Sequence, residues 1–215
     1  MFLASFLINL IIDTITTGNM AQASIVALEI AQNLLSMGRI DEAHNHFVRA
    51  AQIQRPTSVI DALCTLRKAA YCQFYMNNFP GALKHLHEVM NTINAMVKRD
   101  SHCATYSVEE IRQSVEISFV FIMLLLKSSP VDMMTNSEHS KIMEAYTWEN
   151  DYTEESSGTN QRVLPEELFL LVQSVVMATQ ARDLDTLTYL QSELYTRLDT
   201  VQCELLQKII HDVSE

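Results

Sequence analysis

ALEIAQNLLSMGRIDEAHNHFVRAAQIQRP, residues 27–56, is the stretch whose reading decides the fold. Ala27, Ile30, Ala31 and Leu34 recur at steps of three and four, which places them on one face of a helix. Gly38 follows as a stop, because glycine enters the left-handed conformation that ends helices without steric penalty. Ala43, Phe47 and Ala50 then line a second helix, and Pro56 closes it. Small residues at Ala31 and Ala43 let the two helices approach, and Phe47 fills the space they leave.

Those offsets are the ones of a tetratricopeptide repeat. A second copy lies 39 residues on, with Leu66, Ala70, Asn77, Ala82, Leu86 and Val89 standing where Ala27, Ala31, Gly38, Ala43, Phe47 and Ala50 stand in the first. A weaker echo runs from Val175 through Arg182 to Leu187 and Leu194, and Gly18 followed by Ala23 gives a partial one. The step exceeds the usual ~34 residues, so the repeats are TPR-like. The expected fold is all-α, a TPR-like α-solenoid of antiparallel helix pairs.

Extending the pattern outward predicts about ten helices, over 2–17, 20–36, 39–54, 58–76, 79–98, 108–127, 137–146, 165–181, 184–197 and 199–212. Pro56 and Pro80 mark helix starts, Gly18 and Gly38 mark ends, and Ser128 to Pro130 interrupt another helix. Joints this short favour antiparallel neighbours. Residues 147–163, TWENDYTEESSGTNQRV, have no helical apolar stripe and read as an acidic and polar loop. The expected organisation is a TPR-like array over 1–146, this loop, and a C-terminal helical hairpin over 164–215 packed on the array. A lesser loop is expected over 99–107.

Composition agrees with helices and bounds function. Only 4 Gly and 4 Pro occur in 215 residues, too few to turn a many-stranded sheet. The net charge of −11 resides in the second segment: residues 1–129 carry 10 bases and 10 acids, residues 130–215 carry 5 bases and 16 acids. Such a surface repels phosphates and argues against nucleic acid. It fits either a plain solvated face or a basic protein partner. Cys64, Cys72, Cys103 and Cys203 form no CxxC pair, and three sit in apolar-periodic stretches; they read as reduced thiols of a cytoplasmic or nuclear protein, with disulfides as the alternative.

The opening MFLASFLINLIIDTITT is nearly all apolar from Phe2 to Ile12. No Lys or Arg precedes Arg39, the run falls short of the ~20 residues of a span, and Asp13 interrupts it. A buried core helix is the favoured reading, with no membrane insertion; a signal peptide or anchor is the alternative.

Nothing in the chain has a catalytic setting. There is no GxSxG and no Gly-rich phosphate loop. The pairs His44/His46 and His85/His87 stand two apart, so each pair diverges on a helix, and surface histidines are the expected reading. The paired acids Glu109/Glu110, Glu154/Glu155 and Glu166/Glu167 diverge likewise. Glu166 and Glu167 follow Pro165 in a first turn, where acids meet the positive end of the helix dipole. Met133, Met134, Met143 and Met177, among 11 methionines, fit core filling ahead of an adaptable surface. SFVFIMLLLK, Ser118 to Lys127, is apolar all round and is expected to be buried, with a partner-covered face as the alternative. No catalytic residue, metal site or cofactor is expected.

The block LPEELFLLVQSVVMAT, Leu164 to Thr179, with EHSKIMEAYTWE (Glu138 to Glu149) and EESSG (Glu154 to Gly158), resembles the factor VIII intron-encoded family of huntingtin-associated proteins. GRIDEAHNHFVRAAQIQRP resembles the same family's repeat, and the likeness extends over most of 20–213. The resemblance implies a non-enzymatic scaffold that forms a stabilising complex with huntingtin, a HEAT-repeat protein. It also implies a link to early endosomes through a Rab-type GTPase, and a cytoplasmic, nuclear or endosome-peripheral location. Trp148, Glu154, Glu155, Leu164, Pro165, Glu166 and Glu167 are the expected partner-binding residues. Family members are longer at the N-terminus, and the vertebrate ones carry a proline-rich insertion near 99–107, so this chain resembles an N-terminally shortened member, or an incomplete gene product, without that insertion. A generic TPR adaptor that binds short peptides is the alternative function.

Overall fold

The computed structural model describes residues 20–99, 105–126, 142–147 and 163–215. Eight helices cover most of them: α1 (Met20–Ser36), α2 (Ile40–Gln54), α3 (Val59–Tyr75), α4 (Phe79–Arg99), α5 (Tyr106–Leu125), α6 (Glu166–Ala181), α7 (Leu184–Leu194) and α8 (Thr200–Ser214). The described residues contain no strand. The fold is all-α and solenoid-like, with helices packed in adjacent pairs. The expected helix over 2–17 lies outside the described residues, and of 137–146 only 142–146 is described.

Three helices end in the same way. Gly38, Asn77 and Arg182 have φ of 75°, 56° and 54°, the three left-handed residues of the described chain. At Gly38 the amide bonds the Leu35 carbonyl at 3.0 Å, and the next amide, Arg39, bonds the Leu34 carbonyl at 2.9 Å. Asn77 and Asn78 repeat this on Phe74 and Gln73, and Arg182 and Asp183 on Thr179 and Ala178. This is the Schellman arrangement, which satisfies carbonyls left open at the end of a helix.

Burial keeps the same period. Ala31, Ala70 and Val175 each lie seven residues before the left-handed position, and each is 0% exposed. Five residues after it come Ala43, Ala82 and Leu187, and twelve after it Ala50, Val89 and Leu194, all likewise 0% exposed. The third copy departs at the position of Phe47 and Leu86, where Gln191 is half-buried.

Helix starts follow from local chemistry. The Ser58 hydroxyl caps α3 by accepting from the Asp61 amide at 3.3 Å, and Asp183 caps α7 by accepting from the Thr186 amide at 3.1 Å. Pro56 lies in the turn before Ser58, and Pro80 is the second residue of α4. Beyond α7 the chain turns at 195–197, which ends that helix three residues before the periodicity predicts.

The chain divides into two compact units, Met1–Ile111 and Arg112–Glu215, so the division falls inside α5. In the first, α1 packs on α2, α2 on α3 and α3 on α4. The second joins most of α5 to residues 142–147 and to α6, α7 and α8, the three helices expected over 165–212. Of the expected 147–163 loop, only Thr147 and Val163 are described. Of the apolar run expected to be buried, Ser118 to Lys127, residues 118–123 are all buried, Leu124 to Leu126 are half-buried, and Lys127 lies outside the described residues.

Candidate partner-binding surface

The start of α6 alternates between anchors and exposed groups. Leu164 is 3% exposed and Phe169 5% exposed, so both belong to the core of the second unit. The Phe169 ring stacks on Tyr146 with centroids 4.8 Å apart. Tyr146 is itself fully buried, and its hydroxyl donates to Glu116 Oε1 at 2.7 Å. Between these anchors, Pro165, Glu166 and Glu167 are exposed. Pro165 is the N-cap residue, with ψ of 146°, and the two acids occupy the first turn, where the helix dipole favours them. Both guanidinium NH groups of Arg197 donate to Glu167 Oε2 at 3.2 Å, an exposed pair of small energetic weight.

Of the seven expected partner-binding residues, the structure brings Leu164, Pro165, Glu166 and Glu167 together on one short segment. Burial makes Leu164 a support for this segment; Pro165, Glu166 and Glu167 are its outward groups. Trp148, Glu154 and Glu155 lie outside the described residues, as do Cys103, Met133 and Met134. Of the other methionines singled out, Met143 is buried and Met177 half-buried.

Further exposed groups were missed from sequence. Leu170 on α6, Tyr189 on α7 and Tyr195 just beyond it are 51%, 63% and 70% exposed. On α7, Asp185, Tyr189 and Glu193 recur every four residues and are all exposed, opposite buried Leu187, Leu190 and Leu194. Reading the helix periodicity for its outward face would have found them. Residues 163–215 carry nine acids against three bases, so these apolar groups lie in an acidic segment.

In the first unit a cleft of about 110 Å³ opens between α2, α3 and α4, floored by Val48, Ala51, Leu63 and Leu66. Drug-sized ligands occupy ~300 Å³ or more, so this space admits at most a side chain. Arg55 of α2 donates to Glu88 of α4 at 2.7 Å beside it. Nearby, Nε2 of His44 and Nε2 of His85 lie 3.0 Å apart, and the Gln73 amide nitrogen is 2.8 Å from His44 Nε2.

Their spacing predicts surface histidines; His44, His46, His85 and His87 are instead all half-buried. Members of each HxH pair do diverge, but one from each, His44 and His85, reaches across from α2 to α4. Desolvation, then the His44 ring, then Lys84 hold His85 below the ordinary histidine range, against Glu88. Desolvation and Arg49 lower His46, against Glu42.

Among the described residues, no group of three or more His, Cys, Asp or Glu gathers where it could hold a metal ion. Cys64, Cys72 and Cys203 are free thiols. No helix of the described residues is long and apolar enough to cross a membrane.

Repeated Schellman turns with a conserved burial period define a TPR-like helical repeat protein. No family model matches the chain. It is similar to the 40-kDa huntingtin-associated protein of Mus musculus, 27% identical over 243 residues. The protein of the same name from Rattus norvegicus is 28% identical over 243 residues. Each alignment covers 91% of this chain and 62% of the relative. The chain is thus similar to these huntingtin-associated proteins over most of its length, in line with the resemblance over 20–213, and it spans about 62% of the length of these two.

Proposed function

We propose that this chain is a non-enzymatic, protein-binding scaffold that forms a stabilising complex with huntingtin. The observation that carries this reading is the similarity over 91% of the chain to two proteins whose names state a huntingtin association. The exposed start of α6 supports it physically: Pro165, Glu166, Glu167 and Leu170 offer charge and apolar area on a segment held from beneath by Leu164 and Phe169. Partner contact through Trp148, Glu154 and Glu155 is part of the same proposal. A link to early endosomes through a Rab-type GTPase extends it and rests on the family resemblance.

Co-expression with a huntingtin homologue from the same organism, followed by affinity purification and size-exclusion chromatography, tests the proposal. A stoichiometric complex is expected. Two separate peaks at micromolar concentration would defeat it. The peptide-adaptor alternative calls for a groove with convergent polar groups, and the 110 Å³ cleft beside the Arg55–Glu88 pair is one place to test for it. A Glu88→Ala change that abolishes capture of a short peptide would favour that reading.

A further inference from the structure

The contact between His44 and His85 joins corresponding helices of two successive repeats, and its hydrogen positions follow from its neighbours. Gln73 Oε1 accepts from Asn78 Nδ2 at 2.7 Å, so the amide nitrogen of Gln73 is the group facing His44 Nε2, and it donates at 2.8 Å. His44 Nε2 is therefore a lone-pair acceptor. The 3.0 Å contact then requires the hydrogen to be on His85 Nε2. Asn78 is itself tied to the start of α4, since its Oδ1 accepts from the Gly81 amide at 3.2 Å. The chain from Asn78 through Gln73 and His44 to His85 joins α2, α3 and α4.

Every added proton disturbs this arrangement. A proton on His44 Nε2 would face two donors and no acceptor. A proton on His85 must go to Nδ1, which is buried with no hydrogen-bond partner. His46 Nδ1, also on α2, is buried with no partner as well, so its imidazolium form would strand an N–H there. The charged groups acting on His85 are Lys84 and Glu88 from α4 and His44 from α2, while α3 supplies the neutral Gln73. Glu88, the carboxylate that would favour protonation, is engaged by Arg55 of α2. Arg49 and Glu42 act on His46. With Lys84 acting on His85, the same surroundings oppose a divalent cation between the two rings.

We propose that the His44–His85 contact is an acid-labile latch between the first two repeats, closed while both rings are neutral and opened by proton uptake, which exposes the apolar floor of the α2–α3–α4 cleft. Burial that opposes the charged form makes the open state bind more protons, so stability is full above the free-histidine value of ~6.5 and falls as pH drops through the lower folded values. Each proton taken up multiplies the opening constant by up to ~10 per pH unit.

The decisive measurements use the whole chain. Carbon-labelled histidine NMR should show His46 and His85 titrating below ~6.5. Hydrogen exchange at pH 7.5 and 5.5, corrected for intrinsic rates, should show protection of α2 and α4 falling about tenfold or more. His85→Gln retains a donor toward His44 but cannot titrate, and should remove the share of that change due to His85 while leaving the share due to His46. If His85 titrates at or above the free value, or if His85→Gln leaves the pH dependence intact, the latch is refuted. Should the variant fail to fold, the NMR titration decides alone.

Discussion

Gln202 on α8 donates its side-chain nitrogen to the carbonyl of Ser114 on α5 at 2.9 Å, across 88 residues of chain. The same amide group is spread over two roles. Its Oε1 accepts from the Asp199 amide at 2.9 Å while its own backbone amide donates to Asp199 Oδ1 at 2.9 Å, completing a capping box. Its Nε2 also reaches the hydroxyls of Ser114 and Ser118, at 3.1 and 3.3 Å. One residue, 2% exposed, thereby starts α8 and ties it to the apolar helix. Gln202→Leu removes half of the capping box and the tie to Ser114 together. It should destabilise the second unit by about 2–4 kcal/mol, with the loss of each buried hydrogen bond setting the scale. Urea unfolding of the whole chain measures this, and a change below ~0.5 kcal/mol would contradict the assignment.

The left-handed residues allow a graded test of the repeat geometry. Arg182 holds φ of 54° without glycine's freedom. Arg182→Gly should raise stability by about 1 kcal/mol. Asparagine tolerates this conformation better, so Asn77→Gly should give little gain. Gly38→Ala should lose about 1 kcal/mol from backbone strain alone, because a Cβ at Gly38 would meet nothing within 4 Å. Thermal denaturation of the three variants should rank them in that order.

Cysteine chemistry separates the thiols by burial. Cys72 is 1% exposed, and desolvation pushes its thiol up to about 11. At pH 8 only a minute fraction is thiolate, the form that reacts. Brief iodoacetamide treatment of folded protein should leave Cys72 unmodified, and the same treatment in denaturant should label it. Peptide mass spectrometry reads both states; rapid labelling of Cys72 in the folded chain would show the core packing to be wrong.

Partner binding through the acidic segment should depend on salt. Exposed charges are screened over ~8 Å at physiological ionic strength. The proposed huntingtin complex should therefore weaken several-fold between 50 and 500 mM NaCl. Glu166→Lys with Glu167→Lys should weaken it further and flatten the salt response. Binding that ignores both changes would point to apolar groups such as Leu170, which Leu170→Asp would then test.

Much of the architecture is local and so could be read in the residues. Helical periodicity, the stops at Gly38 and Asn77, and the acids after Pro165 act within one or two turns. Such signals survive without knowledge of the rest of the chain. The repeat alignment did more: it equated Arg182 with Gly38, although arginine is a poor choice for a left-handed position. The apolar run from Ser118 likewise announced the burial of its first six residues, though not of Leu124 to Leu126.

Pairings between distant side chains were decided by the tertiary structure. HxH spacing correctly separated neighbouring imidazoles, yet carried no information that His44 would meet His85 over Gln73. Leu164 and Glu167 stand three residues apart in one apolar-acidic segment, and packing sent one inward and the other outward. Sequence by itself determined the helices of the described residues, their turns and the repeat, because these depend on backbone geometry and on which face is apolar. Only the folded chain decided which polar side chains lost their water and which partners replaced it, because desolvation and hydrogen bonding depend on groups that sequence separation leaves far apart.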